Sequence, residues 1–453
     1  MTEPPMTEPP MTEIEPVHSS YDALVIGAGA GGVAAAARLS HYGYRTLLVE
    51  SRDRVGGRAS TMEVDGFTVN TGALVLELGG VNGRMFDELG VDPGAPVLRH
   101  PPVLRVGRRD LPLASGVIGA LTRHGLAGLG AMARRFPGLR PPPATHTAAW
   151  LDSLRAGPRT HRLVRNLTSA LFAAEPADVP AALFFDYLTK PGALRGYGAH
   201  PDGSVGPWRA LAEHYRRTGG ALWCDSEVTA LTVDRSGLVD GARVRRGGET
   251  VRVATRLVVS NAGPLATVAL CGDGALPAGY AEQVRAWSRP STLITVNFAS
   301  RRPLRNLAGL VFFGSTHRLA YAANLTSLSP RLAPPGWYLY AAASTPSPAT
   351  GEFDEAAEVA LLERDLREQF PEYDAARVLS VEICAGQRWP AQRAIAGHDL
   401  PNTTPLPNLW NVGDGVRAWT GAGQSGCVES ALLVTDQIRA RYPAAVLRAP
   451  AYG

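Results

Sequence analysis

A glycine pattern near the N-terminus constrains the fold of this chain more than any other feature. Gly27, Gly29 and Gly32 directly follow the apolar run 23–26 and open an alanine-rich segment; Glu50 ends a second apolar run. A strand, a glycine turn, a helix and a second strand form a mononucleotide-binding unit, in which N–H groups at the helix start attract a pyrophosphate. An acid at the end of the second strand can accept hydrogen bonds from ribose hydroxyls. The sequence therefore predicts a parallel α/β sheet that binds a dinucleotide.

The three glycines have separate tasks in such a unit. Gly27 permits the tight turn after the strand, Gly29 lets the backbone approach a pyrophosphate, and Gly32 lets the helix pack closely on the strand. The complete fingerprint, with both strands and the acid, is found once in the chain. We therefore predict one dinucleotide site.

Composition excludes several other classes of protein. The chain has 453 residues, is 45% hydrophobic and 19% charged, and carries a net charge of only +4, with Lys190 as its one lysine. No basic run is interleaved with aromatic residues, so we expect no nucleic-acid partner. The four cysteines lie far apart without a CxxC pair, which disfavours a disulfide framework and a zinc site and favours a reducing, cytoplasmic setting.

The length predicts more than one packed unit. We interpret residues 1–17, an acidic and proline-rich stretch, as a disordered extension. The predicted units interleave along the chain. The nucleotide-binding domain takes residues 18–100, 200–275 and 380–445, and a mixed α+β substrate domain takes residues 101–199 and 276–379.

A second motif follows the glycine turn. The segment Arg54-Val-Gly56-Gly57-Arg58-Ala-Ser-Thr resembles the Arg-x-Gly-Gly-Arg-x-x-Ser/Thr segment of the flavin amine oxidase and phytoene desaturase superfamily. Gly56 and Gly57 would let the chain pass close to the cofactor, and Arg58 can pair with its diphosphate. The resemblance implies FAD, bound non-covalently, in a Rossmann-like fold of the glutathione reductase and amine oxidase type.

The C-terminal part carries the other half of the resemblance. Asn-Leu-Trp-Asn-Val-Gly413-Asp414 is similar to that superfamily's Asn-Leu-(x)3-Gly-Asp segment, in which the Asp contacts the ribityl and phosphate region of the cofactor. The glycine-rich segment 421–426 then opens the last helix, with Gly423 and Gln424 at its start. Backbone N–H groups there can stabilise negative charge on a reduced flavin ring.

The middle of the chain resembles bacterial phytoene desaturases in two segments. Pro-Asp-Gly-Ser204 is similar to their Pro-x-Gly-Gly, and residues 257–264 are similar to their Val-Val-Ser-Asn-Ala-Asp-Pro segment. Ser204 replaces a glycine and Gly263 replaces the aspartate, and these departures leave the substrate open. The resemblance further implies that the backbone of the strand containing Val228 contacts the adenine.

Two reactions fit these motifs. The first is hydride transfer from a substrate carbon to flavin N5, in the desaturation or isomerisation of an apolar substrate or a specialised metabolite. The alternative is amine oxidation, although many amine oxidases use a lysine near N5 and Lys190 lies in a Thr-Lys-Pro turn. A third class binds FAD without turnover. Since we find no second nucleotide fingerprint for NAD(P)H, we expect oxygen or a quinone-like compound as electron acceptor.

Catalytic residues are weakly indicated by the sequence. Arg388 and Trp389 precede the last predicted strand and are candidates to approach the flavin or bind a polar substrate end. No Ser-His-Asp arrangement or metal cluster stands out. The stretch 116–136 is amphipathic, with arginines beside leucines. It either touches a membrane surface, on the inner face for a cytoplasmic protein, or packs on the core. The oligomeric state is open.

Overall fold

The computed structural model describes residues 20–113, 116–136, 138, 140–142, 144–189, 196–288, 290–385, 400–416 and 423–448. Its strands are β1 Ser20–Ile26, β2 Thr46–Val49, β3 Thr61–Val64, β4 Phe67–Asn70, β5 Leu76–Glu77, β6 Val103–Val106, β7 Arg109–Pro112, β8 Tyr197–Gly198, β9 Ala221–Trp223, β10 Ser226–Val233, β11 Val239–Arg246, β12 Glu249–Ser260, β13 Leu293–Ser300, β14 Leu310–Phe313, β15 Tyr321–Asn324, β16 Tyr338–Ser344, β17 Arg377–Cys384 and β18 Leu409–Asn411. Its helices are α1 Ala30–His41, α2 Gly80–Leu89, α3 Gly116–Arg135, α4 Thr147–Ser153, α5 Pro158–Phe172, α6 Ala181–Thr189, α7 Gly206–Arg217, α8 Pro264–Cys271, α9 Ala278–Trp287, α10 Glu355–Gln369, α11 Gln424–Arg441 and α12 Ala444–Arg448.

The first large sheet contains the predicted mononucleotide unit. Its order is β10-β11-β12-β1-β2-β9, and β18 pairs with the C-terminal part of β12. The pairs of β1 with β2 and β12, of β2 with β9 and of β12 with β18 are parallel. The predicted α/β fold with a Rossmann-like layer is thereby confirmed. Ligands of such sheets bind beyond the carboxyl ends of the parallel strands.

The central strands β1 and β2 of this sheet are buried on both faces. Alternate residues of β1 point into two different cores: Ala23 and Val25 join a cluster with α1, α2, α7 and α11, whereas Leu24 and Ile26 join a cluster with β10 and β11. Burial on both faces explains why the strand reads as a continuous apolar run rather than an alternating one.

The second large sheet has the order β17-β13-β16-β15-β14-β6-β7. It also separates two cores, because side chains of successive strand residues point to opposite faces. One face carries Leu310, Phe312 and Tyr321 and packs with α5 and α6, and the opposite face carries Val311 and Phe313 and is covered by α10. The second sheet thus has an apolar core on each of its two faces.

The predicted domain boundaries stay a prediction, with one point of conflict. The boundary at residue 380 divides β17, which pairs along its length with β13 of the second sheet. The β17 strand therefore belongs to the layer that we assigned to the substrate domain. The sequence around 380 gave no signal for this, because five of the eight residues of β17 are only partly buried and the other three are exposed.

Helix α3 carries the amphipathic stretch. One side packs on α6, since a Cβ atom added to Gly130 would lie 2.9 Å from the Cβ of Thr189. On the other side Leu129 and Met132 are 40% and 54% exposed, and Phe136, directly after the helix, is 56% exposed. Within the described part of the chain, none of the helices is both long enough and apolar enough to cross a bilayer.

Candidate functional site

One cavity draws its wall from both large sheets. Its volume is about 620 Å³. One end is formed by the glycine turn before α1, by residues 50–58 and by Asp414, and the other end by residues of α5, β13, β14 and β15. The predicted site residues that line it are Gly27, Gly29, Glu50, Gly56, Gly57, Arg58, Asp414, Gly423 and Gln424.

The first turn of α1 opens onto the cavity without a side-chain cap. Gly29 is the N-cap residue, and no side chain accepts from the helix N–H groups. Gly27 has a φ of +87°, which glycine adopts without strain. A Cβ atom on Gly32 would lie 1.8 Å from the Gly27 carbonyl oxygen, so only glycine allows this close packing. The uncapped N–H groups and the helix dipole favour an anion here.

Glu50 lies at the carboxyl end of β2 and is only 7% exposed. One carboxylate oxygen accepts a hydrogen bond from the Ala28 N–H at 2.6 Å, and the other accepts from the Arg52 N–H at 2.9 Å. These backbone donors hold the carboxylate in place and compensate its burial. Glu50 therefore presents fixed acceptor oxygens at the cavity wall, as the ribose hypothesis requires.

The Gly-Gly pair lies directly against the glycine turn. The Gly56 N–H donates to the Ala28 carbonyl at 2.8 Å, and Gly56 has a φ of +101°. A Cβ atom on Gly57 would lie 3.2 Å from the Cα of Gly29. The two motifs that the sequence singled out separately thus form one surface built of backbone.

Arg58 and Asp414 join the two ends of the chain. The guanidinium donates to both carboxylate oxygens, at 2.9 and 2.6 Å. Asp414 is 6% exposed at its side chain, whereas Arg58 keeps 29% exposure toward the cavity. Burial alone would lower the pKa of Arg58, but the Asp414 charge and hydrogen bond outweigh it and raise the pKa above its ordinary value. Arg58 therefore stays a cation at the cavity wall.

The start of α11 forms the next part of the wall. The Gln424 amide donates to the Val75 carbonyl at 2.9 Å and its oxygen accepts from the Trp208 indole N–H at 2.7 Å. Ser425 donates to a carboxylate oxygen of Glu77 at 2.8 Å. Gly423, the N-cap residue of α11, has a φ of +52° and makes no side-chain cap. This second uncapped helix start also faces the cavity.

Three predicted residues lie outside the cavity wall. Gly32 is packed on the Gly27 carbonyl. Gly413 has a φ of +107° and its N–H donates to the Ser430 hydroxyl at 2.7 Å. Val228 is buried in the core on the β10 side of the first sheet. Gly32 and Gly413 thus approach neighbouring groups closely and Val228 packs in a core, and the cofactor contacts of all three stay predictions.

Asn261 is a wall residue that the sequence analysis did not single out. Its side-chain N–H donates to the Gly27 carbonyl at 3.4 Å. A Cβ atom on Gly29 or Gly31 would lie 2.8 Å from its amide, and one on Gly413 would lie 2.9 Å from it. Asn261 thus fills the centre of the glycine cluster. The sequence signal for Asn261 was its position in the segment 257–264. We compared this segment with a desaturase motif but assigned no role to Asn261.

The far end of the cavity is apolar with tyrosine hydroxyls. Leu293, Leu310 and Phe312 come from the second sheet, and residues 169–173 come from α5 and the residue after it. Tyr187 lines the same region, and its hydroxyl lies 3.0 Å from that of Tyr197, with either one as donor. A predominantly apolar wall with a few polar groups is typical of a small-molecule site.

The catalytic candidates Arg388 and Trp389, and the one lysine, Lys190, lie outside the residues that the structure describes. His317 is exposed and lines a separate pocket of about 380 Å³ that includes Arg165. No group of three or more metal-ligating side chains occurs among the residues that the structure describes.

The donors and acceptors at the sheet end of the cavity fit a dinucleotide. Two uncapped helix starts offer N–H groups, Arg58 offers a cation, and Glu50 offers acceptor oxygens. Side chains at Gly29 and Gly57 would fill the space above the turn. A diphosphate needs the N–H groups and the cation, and a ribose needs the acceptor oxygens.

Comparison with known proteins agrees with the Rossmann-like fold of the first sheet. Residues 25–89 match the family described as an NAD(P)-binding Rossmann-like domain. A zeta-carotene-forming phytoene desaturase of Myxococcus xanthus is 38% identical over 89 residues, which are 19% of this chain and 17% of the relative. A Mycobacterium tuberculosis protein with a proposed flavin-containing monoamine oxidase activity is 27% identical over 289 residues, 59% of this chain and 62% of the relative. The chain thus spans less than two thirds of each of these relatives.

Solved structures share the whole fold. An oxidoreductase from Methanosarcina mazei superposes with a TM-score of 0.77 at 24% identity, over 91% of this chain and 99% of that one. Putrescine oxidase with bound putrescine superposes with a TM-score of 0.64 at 16% identity, over 93% and 99%. The chain therefore carries a Rossmann-like dinucleotide-binding domain, has phytoene desaturases and flavin amine oxidases among its homologues, and shares the fold of the flavin amine oxidases.

Proposed function

We propose that this protein is an FAD-dependent oxidoreductase that takes a hydride from a carbon atom of a small, largely apolar substrate. The observation that carries the proposal is a cavity that joins a glycine-rich end suited to a dinucleotide with an apolar end suited to a substrate. A cofactor and a substrate must share one enclosed space for a direct hydride transfer.

The residues at the sheet end would hold FAD non-covalently. The first turn of α1 and Arg58 would bind the diphosphate, Glu50 the adenosine ribose, Asp414 the ribityl region, and the start of α11 the edge of the ring. Bound FAD supplies the hydride acceptor, its N5 atom. The protein supplies orientation, charge compensation and a space without bulk water.

The apolar end would orient the substrate carbon and exclude water. Leu293, Leu310 and Phe312 offer no hydrogen bonds, so a hydrocarbon segment can pack on them. This wall supports desaturation or isomerisation of an apolar or specialised-metabolite substrate. The phytoene desaturase among the relatives supports the same class of reaction.

Amine oxidation is the second candidate, and one observation favours it. Glu77 and Glu382 both line the cavity, and a carboxylate can pair with a substrate ammonium. The putrescine-bound neighbour and the monoamine oxidase relative support this alternative. For either reaction we propose oxygen or a quinone-like compound as acceptor, because the chain carries one complete nucleotide fingerprint.

Contact with a membrane surface is part of the proposal. Leu129 and Met132 on α3, and Phe136 directly after it, are exposed beside Arg134 and Arg135. Apolar side chains with neighbouring cations are what an interfacial helix presents to anionic lipid. Co-sedimentation with phosphatidylglycerol vesicles tests it: a Met132→Glu, Phe136→Glu double variant should bind less, and equal binding contradicts it.

Substrate class is tested by anaerobic reduction of the protein-bound flavin. Polyenes, lipids, ketones and amines are added separately, and the loss of the long-wavelength flavin band is followed. Bleaching by an apolar alkene or ketone supports the first function. Bleaching by amines alone moves the assignment to amine oxidation, and a stable band with every compound contradicts both.

A further inference from the structure

Tyr321 places a polar atom in the apolar end of the cavity. It is the first residue of β15 and lies opposite Phe312 of the neighbouring strand β14. Both side chains line the cavity together with Leu310. Tyr321 is 9% exposed, so its ring is almost wholly enclosed by protein.

The Tyr321 hydroxyl has no hydrogen-bond partner among the residues that the structure describes. Neighbouring tyrosines differ in this respect: Tyr187 and Tyr197 bond to each other, and the Tyr340 hydroxyl accepts from the Leu304 N–H at 3.0 Å. The Tyr321 hydroxyl oxygen is not among the fully buried side-chain atoms that lack a hydrogen-bond partner. It is therefore accessible from the cavity. Burial raises its pKa, which keeps the group a neutral donor.

An unpartnered buried hydroxyl discriminates between ligands. Water in the cavity can satisfy it, but a ligand that displaces this water must replace the hydrogen bond or leave the group unpaired. A pure hydrocarbon therefore binds at a disadvantage. A ligand with an oxygen atom opposite Tyr321 regains the bond.

The charges around the cavity favour a neutral oxygen group over an ion. Arg52, Arg54 and Arg58 line the sheet end together with Glu50. Beside Tyr321, the neighbouring strand β14 contributes Leu310 and Phe312 to the wall, whereas the acidic wall residues Glu77 and Glu382 lie on β5 and on β17, three strands away from β15. A carboxylate or ammonium beside Tyr321 would be buried without an opposite charge from β14, which is unfavourable.

We propose that the substrate carries a hydroxyl or carbonyl oxygen on an otherwise apolar body, and that the Tyr321 hydroxyl is its hydrogen-bond partner. This inference rests on the proposed function and narrows its substrate class. It assigns Tyr321 to specificity rather than to the chemical step. Fully hydrocarbon polyenes are thereby disfavoured as substrates.

Equilibrium dialysis of the purified protein against 2-octanone, 1-octene and octylamine tests the inference. The three probes have chains of equal length and differ in the polar group. We expect the wild type to bind the ketone about tenfold more tightly than the alkene. The ketone oxygen can accept a hydrogen bond from the buried Tyr321 hydroxyl, whereas the alkene leaves this donor unpaired. In Tyr321→Phe the ketone should lose this advantage, while the affinity for the alkene stays equal or rises.

Tyr338→Phe is the matched control, because Tyr338 lies in β16 of the same sheet and is 36% exposed. It should leave the preference for the ketone unchanged. An equal ketone preference in the wild type and in Tyr321→Phe overturns the inference, and so does tightest binding of octylamine. The dialysis reads binding without turnover. A protein without FAD therefore contradicts the proposed function, whereas an unchanged ratio contradicts the role of Tyr321 alone.

Discussion

Arg58 and Asp414 form a two-bond ion pair that connects residues 356 positions apart in the chain. The pair fastens the loop after β2 to the loop after β18 at the cavity wall. Its two partners come from the two motifs that resembled flavoenzyme segments. The resemblance assigned each residue to the cofactor, whereas the structure adds that each also holds the other.

The ion pair should contribute to stability as well as to cofactor binding. We expect Asp414→Asn to lower the free energy of unfolding by about 1–3 kcal/mol, since Asp414 is buried and the hydrogen bonds are charge-assisted. Urea unfolding of the protein measures this. Glu368→Gln, which breaks an exposed pair with Arg364, is the control and should change stability by less than about 0.5 kcal/mol. An equal loss of unfolding free energy in the two variants would contradict a larger contribution of the buried pair to stability.

Gly29→Val should leave a folded protein that does not retain FAD. The backbone of Gly29 is extended, with a φ of −70°, a conformation that valine can adopt. Its Cβ would lie 2.8 Å from the Asn261 amide and would fill the space before the first turn of α1. FAD content per protein is read from the absorption spectrum. Gly279→Val, at a glycine with open space around it, should keep normal content. A yellow Gly29→Val protein would be incompatible with the assigned diphosphate site.

Gly32→Ala should instead prevent folding. The new methyl group would lie 1.8 Å from the Gly27 carbonyl oxygen, a backbone atom that cannot move without separating α1 from β1. We expect a loss of about 3 kcal/mol or more, which is at the upper end for overpacking. Circular dichroism and the soluble yield measure it. Gly128→Ala, where a Cβ atom meets nothing within 4 Å, should be neutral or slightly stabilising.

The fold and one end of the cavity could be predicted from the sequence, whereas two residues of the cavity wall could not. The spacing of the glycines, the two strands and Glu50 was enough for the fold and for one end of the cavity. The sequence did not reveal Asn261, because its position among the glycines depends on β12 lying beside β1. Tyr321 gave no signal either, since an aromatic residue in an apolar strand is the ordinary pattern of a core. Long-range pairing of strands decided both positions.

Glu88 should make stability depend on pH in the acid range. It accepts hydrogen bonds from Arg38 at 3.0 Å and from the Tyr42 hydroxyl. Burial alone would raise the pKa of Glu88, but these hydrogen bonds outweigh it and lower the pKa below the ordinary 4.5. The stabilisation is therefore fully present above the ordinary value and is lost as the pH falls through the lowered one.

Urea unfolding of the wild type and of Glu88→Gln at several pH values measures this contribution. At pH 7 the variant should be less stable by about 1–3 kcal/mol, because a charge-assisted pair with a buried guanidinium is lost. The difference should shrink as the pH falls below 4.5. A constant difference from pH 7 down to pH 3 would argue against ionised Glu88 as its source.

The absorption spectrum of the purified protein, before and after acid precipitation, tests the central claim most directly. The account predicts two flavin bands in the native protein and their transfer to the supernatant as intact FAD, because the cofactor is bound without a covalent link. A colourless protein that cannot be reconstituted with FAD would contradict the claim that this cavity is a flavin site.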